Sequence, residues 1–252
     1  VLDWFRRIRK GSQKLTLPSR DSSLGRSQIQ LNPSKLTPAP EIYLGQLASS
    51  SLAIADSLMF AANKAPTRAL KNELNTLADY FIVREKTCAA LLRKAGIDSS
   101  ALHEQFDNRY EELFEITKGV SFIEEVARLY VLVGIMEDSA LRLSRGLSPA
   151  KRIQIEPVLL RSDLEQSCQK MLQNLLASSP DMIDPLALYC RSVVADGLLE
   201  IRHSVDLAKL GKIVQAESKA DIAREEFKII EPFTAELISA HNLRMDSLGL
   251  TA

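Results

Sequence analysis

The chain has 252 residues, with basic and acidic side chains equal at 32 each and only ten glycines and ten prolines. A chain of that length can bury a sizeable core, and the scarcity of glycine and proline excludes collagen-like, low-complexity and turn-rich all-β architectures in favour of long helices. No run of 18 apolar residues occurs, which excludes a membrane-spanning helix. Three cysteines, Cys88, Cys168 and Cys190, are too few for a disulfide framework, so a reducing, cytoplasmic compartment is expected.

The neutral total hides an asymmetry. Residues 1–40 carry eight Lys or Arg against Asp3 and Asp21, a balance of +6, and the remainder carries 24 basic and 30 acidic residues, a balance of −6. The opening, Val1-Leu2-Asp3-Trp4-Phe5-Arg6-Arg7-Ile8-Arg9-Lys10, is apolar and basic by turns, and residues 11–40 are rich in Ser, Gly, Pro and Gln without a period. Residues 1–40 therefore read as a basic, flexible arm and linker. Two roles stay open for it: contact with RNA phosphate, anionic lipid or another protein, or a disordered tail whose lone Trp4 rests on the body. No apolar h-region with a small-residue cleavage site is present, so no secretory signal is expected.

From residue 41 the apolar period is helical. Segment A, about 41–64, repeats Leu44, Leu47, Leu52, Ala55 and Met59 and stops before Ala65-Pro66-Thr67, where Thr67 is a plausible N-cap. Segment B, about 68–95, ends at Gly96, and segment C, about 99–117, closes at Gly119. Segment D, about 121–145, starts at Ser121 with Glu124 at the capping-box spacing. Its middle, Leu129 to Met136, is apolar nearly all round, as in a helix buried on most sides. Segment E, about 150–177, contains Pro157 and should start late or kink there. Segment F spans about 182–210. Segment G spans about 217–248, with a break expected at Pro232 and a stop at Gly249. No segment alternates at period two. The expected fold is an all-α bundle with A, B, D and E as an antiparallel four-helix core.

Segments A and B resemble D and E. Asp56-Ser57 is matched by Asp138-Ser139, and Glu85-x-x-Cys88 by Glu165-x-x-Cys168, with 29 positions from Asp56 to Glu85 and 27 from Asp138 to Glu165. Each acid lies three or four residues from an apolar neighbour and so shares its helix face. Two readings stay open. Four carboxylates could point into one bundle interior, where they need a partner or a metal. Alternatively, the acids flank the stripe in solvent and the cysteines are small core residues. Among the histidines, His203 in Glu200-Ile201-Arg202-His203 reads as a surface or capping residue ahead of a ligand, His241 as a packed residue, and His103 has no evident partner. Ser49-Ser50-Ser51 reads as close helix packing. No Gly-rich phosphate loop, Cys-x-x-Cys pair or Gly-x-Ser-x-Gly elbow is present, and the catalytic residues of any activity are unknown.

Tyr43-Leu44-Gly45-Gln46, Ala65-Pro66-Thr67 and the ending Phe233-Thr234-Ala235-Glu236-Leu237-Ile238-Ser239-Ala240-His241-Asn242-Leu243-Arg244-Met245-Asp246-Ser247-Leu248-Gly249-Leu250 resemble actinobacterial ferritin-like proteins. These are grouped by similarity with the tRNA hydroxylase that acts on a 2-methylthio-isopentenyl adenosine, and Asp3-Trp4-Phe5-Arg6-Arg7 is similar to that group as well. The resemblance covers roughly 41–252 and implies a ferritin-like four-helix bundle with additional helices. In di-iron members of that fold two helices each give a Glu and two others each give Glu-x-x-His. This chain departs from the pattern. Cys88 and Cys168 stand at the His positions, and Asp56 and Asp138 (or neighbouring Glu137) stand where the lone Glu belongs. Thiolate selects softer metals than iron–carboxylate sites use. The six candidate metal positions, Asp56, Glu85, Cys88, Asp138, Glu165 and Cys168, are therefore expected to lack a stoichiometric di-iron centre. Their acids should sit apart, be solvated, or pair with Arg or Lys such as Arg84 and Arg161. The favoured reading is a metal-free binding or interaction module, with a homodimer as an open expectation. The alternative is a di-iron oxygenase acting on modified tRNA.

Overall fold

The structure, a computed structural model, describes residues 35–159, 163–205 and 219–250, without the side chains of 101, 103 and 219–229. The arm up to residue 34 and Arg161 lie outside the described residues, as do the expected end of segment F and start of segment G, and so does the His103 side chain.

The first hairpin follows its local signals. Helix α1 (Pro40–Lys64) opens with a proline, whose missing N–H costs nothing at a helix start. It ends at extended Ala65, as the following Pro66 requires. Helix α2 (Arg68–Lys94) is capped by Thr67, whose hydroxyl accepts from the Leu70 amide at 3.3 Å. Gly96 closes it at φ +76°, with the Gly96 amide on Arg93 O and the Ile97 amide on Leu92 O. This pair of bonds is a Schellman end, which needs the left-handed conformation that glycine adopts freely. Asp98 then caps α3 (Ser99–Ile116) through the Ser100 amide at 2.9 Å.

Segment D becomes α4 (Phe122–Arg128), a π turn (Leu129–Val133) and α5 (Gly134–Ser144) in one rod. The Ser121/Glu124 capping box forms as the spacing predicts. The π turn falls on the all-apolar stretch, and all five of its residues are buried. The rod packs on α1 and on the later helices α7 (Leu164–Ser178) and α8 (Ile183–Ser204), and its α5 end meets α9 (Lys219–Ser247). The expected core of A, B, D and E is thus widened by segments F and G.

Two boundaries differ from the sequence reading. Helix α6 (Pro149–Leu159) starts ahead of Pro157 and runs through it, and beyond residues 160–162, which lie outside the described residues, α7 begins at Leu164. Helix α9 runs through Pro232 without a break and stops at Gly249, at φ +69°. A proline removes one helical hydrogen bond, and the burial of Phe233 and Leu237 in the turns that follow Pro232 offsets that loss. The expected linker is also packed at its end. Leu36 is fully buried, and Thr37 Oγ1 donates to Leu143 O at 2.7 Å. Among the described residues the chain is all-α, and no helix is long and apolar enough to cross a membrane.

Candidate functional site at the bundle centre

The interior holds charge, and arginine supplies the positive half of it. Arg84 on α2 is three residues after Phe81 and four before Cys88, on the buried stripe of its helix, and is 1% exposed. Its Nε donates to Ser51 Oγ on α1 at 2.8 Å, and its Nη1 donates to both oxygens of Glu137 on α5 at 2.7 Å. Ser51 in turn donates to the Leu47 carbonyl. Burial works against the Arg84 charge, but Glu137 more than compensates and raises its pKa. Beside this pair Tyr43 donates to Ala140 O at 2.8 Å, and its phenol is pushed far up by burial and by the Glu137 charge.

The second cluster joins three helices. Arg244 of α9 donates from Nη1 to Asp138 Oδ2 on α5 at 2.8 Å and from Nη2 to Glu165 Oε2 on α7 at 2.9 Å. Its guanidinium lies against Gly134. A Cβ added there would stand 2.7 Å from Nε and 2.9 Å from Cζ, so α5 needs glycine at that position. Tyr130 in the π turn reaches the Arg244 carbonyl at 3.3 Å and Ser247 Oγ at 3.0 Å, fixing the end of α9. A small cavity of about 100 Å³ lies between the clusters, lined by Tyr130, Gly134, Glu137 and Glu165 among others.

A third arginine, Arg128, is buried between α3 and α1. It donates to Phe114 O at 2.7 Å and Ser57 Oγ at 2.6 Å and pairs with Glu125, which Lys64 also reaches at 3.2 Å.

The six candidate metal positions do not meet as one group. Asp56 is exposed in a surface groove of about 580 Å³ between α1 and α3, and partial burial raises its carboxyl pKa. Glu85 is half-buried on α2, one position round the helix from Arg84. Asp138 and Glu165 do come together, on Arg244. Cys88 and Cys168 are both fully buried. Burial pushes the Cys88 thiol up to about 12, with Arg84 opposing, and drives Cys168 higher still. Both are therefore neutral thiols at pH 7 in the metal-free protein. Among the described residues no three of His, Cys, Asp and Glu gather as a metal group would. The donors present do not fit a di-iron centre, because Arg244 occupies Asp138 and Glu165 while Asp56 lies in a separate surface groove. His203 is 66% exposed and 4.0 Å from Glu200, which is held by Arg109, so the one Glu-x-x-His does not converge on a site. His241 is buried, and burial together with nearby Arg244 lowers its pKa to about 4.

Sequence reasoning missed Arg244, Arg128, Gly134 and the role of Ser51. A usable signal existed for the two arginines of the centre. Each interrupts an apolar stripe at helical spacing, Phe81–Arg84–Cys88 and Leu237–His241–Arg244–Met245.

No curated protein matches the chain. Residues 41–217 match the ferritin-fold-like family model described as "Ferritin-like domain, actinomycetes", which covers α1 to α8 and all the site residues named above except those of α9. With an all-α bundle around a central rod and a family match over most of its length, the chain belongs to the actinomycete ferritin-like domain family.

Proposed function

We propose that this protein is a metal-free binding module, a ferritin-like bundle in which arginines take over the interior role that metal ions play in di-iron relatives of the fold. The observation that carries the reading is Arg244 bridging Asp138 and Glu165 at 2.8 and 2.9 Å. The buried charge here is the Arg244 guanidinium, and partly buried Asp138 and half-exposed Glu165 compensate it without metal. Glu137 does the same for fully buried Arg84. The basic arm of residues 1–40 is the part of the chain suited to RNA or an acidic protein partner, in keeping with the resemblance to tRNA hydroxylase-like proteins.

Elemental analysis after expression in iron-supplemented medium tests the reading. The expected result is iron well below one atom per chain. Two iron atoms per chain, lost on Glu85→Ala or Glu165→Ala, would overturn it and restore the oxygenase reading on modified tRNA.

A further inference from the structure

A crevice separate from the arginine clusters opens where four helices meet. Helix α1 presents Tyr43, Gln46, Leu47 and Ser50 to it, and α5 presents Met136, Ser139, Ala140 and Leu143. Both sets follow the i, i+3, i+4, i+7 spacing of one helix face. Tyr110 of α3 and Glu200, Ile201 and Ser204 of α8 complete the walls. The free room is about 40 Å³, enough for about three waters, which is also the size of a molecule of four heavy atoms.

Most polar groups in this crevice are already satisfied. Tyr43 donates to Ala140 O, Ser50 to Leu47 O and Ser204 to Glu200 O, and Glu200 is paired with Arg109. Gln46 and Ser139 are not. Gln46 is 8% exposed and Ser139 3% exposed, and neither side chain has a hydrogen-bond partner among the described residues. Both line the crevice, where their polar atoms are open to water or to a guest. They offer donors and acceptors but no charge, and the one carboxylate of the lining already has its arginine. A charged guest would be desolvated there without a counter-ion, and an apolar guest would leave Gln46 and Ser139 unpaired.

We propose that this crevice binds a small uncharged molecule, or end group, that carries a carboxamide-type edge with a donor beside an acceptor, and that Gln46 and Ser139 recognise it. The inference deepens the binding-module reading and rests on it. Leu47, Met136, Leu143 and Ile201 would cover the apolar remainder of the guest, and the unbranched Met136 thioether is the wall best able to adjust.

The test uses the full chain and three probes of equal size, followed by NMR chemical-shift titration. Acetamide has donor and acceptor, acetone an acceptor alone, and acetate a charge. Acetamide is expected to shift signals from the α1, α5 and α8 walls saturably, with acetone at least about tenfold weaker and acetate without effect. Ser139→Ala and Gln46→Leu should each weaken acetamide about tenfold, the loss of one good hydrogen bond. Ser139→Ala is conservative enough to keep the fold, and thermal melting checks this for both variants. The proposal fails if acetamide binds wild type and both variants alike, if acetate or acetone binds as well as acetamide, or if no saturable shift occurs and the crevice holds water only. Iron content is measured on the same sample. Metal-free protein that ignores acetamide sinks the crevice and leaves the metal-free reading intact, whereas iron-loaded protein that binds it does the reverse.

Discussion

An arginine buried in a helical bundle is a commitment by the whole local structure. Arg84 can stay charged because Glu137, Ser51 and the ring of Phe81, 4.5 Å from its guanidinium carbon, surround it. Removing one partner strands the other charge, which costs about 3–5 kcal/mol, whereas replacing both with apolar groups of similar volume is often neutral. Arg84→Met is therefore expected to lose roughly that amount in urea denaturation, and the double variant Arg84→Met/Glu137→Leu to recover most of it. A single-variant loss below about 1 kcal/mol would mean that the pair is solvated and does not organise the interior. The residue scale also shows where sequence reading stops. Arg84 and Glu85 both lie within one turn of Phe81 and Cys88, and a stripe read from spacing cannot say which of two adjacent positions turns inward. The spacing leaves open whether Glu85 points inward or flanks the stripe; Arg84 is the buried one, and Glu85 is half-buried beside it. Its partner Glu137 is 53 positions away on another helix, a pairing that no local pattern records.

At the scale of elements, ends were legible and interiors were not. Thr67, the Ser121/Glu124 box, Gly96 and Gly249 each mark a boundary through a local hydrogen-bond pattern of a few residues, which sequence carries directly. Pro232 misled because tertiary packing decides whether a helix survives the loss of one bond. The π turn at Leu129–Val133 had no signal beyond uniform apolarity. Yet it precedes Gly134, against which the Arg244 side chain of α9 packs. Gly134→Ala would push a Cβ to within 2.7 Å of Arg244 Nε, a flexible side chain but one held at both ends by carboxylates. Overpacking of this kind costs about 1–3 kcal/mol. Because the clash is with the guanidinium, Gly134→Ala and Arg244→Met should be non-additive. The double variant is expected to be more stable than the sum of the two single losses predicts. Strict additivity in chemical denaturation would place the strain elsewhere in the rod.

For the whole molecule, net charge is zero and the interior charges are matched in place, so its response to pH falls on the few groups whose proton affinity folding changes in one direction. His241 is the clearest of these in the range near neutrality. Buried beside Arg244, it is held neutral, with a folded pKa of about 4 against an ordinary value of 6.5. A lowered histidine pKa means that the unfolded chain binds the proton first as pH falls. Stability is therefore full above pH 6.5, declines as pH drops towards 4, and gains no further loss from this group below that. After allowance for partial solvent screening, the decline is on the order of 2 kcal/mol. The carboxyl of Asp56, raised by burial, acts in the opposite sense and at lower pH, while the lowered carboxyls of Glu124 and Asp98 add to the loss only where carboxylates titrate. Between pH 6.5 and 5 the slope should thus belong mainly to His241. Urea denaturation of wild type at several pH values in that window should show falling stability, and His241→Phe, which keeps an aromatic ring in the stripe with Leu237 and Met245, should flatten the slope whatever its effect at pH 7. A wild-type curve already flat between pH 6.5 and 5, or a slope that persists unchanged in His241→Phe, would show that the imidazole is protonated, or solvated, in the folded protein, and that α9 docks without keeping it neutral.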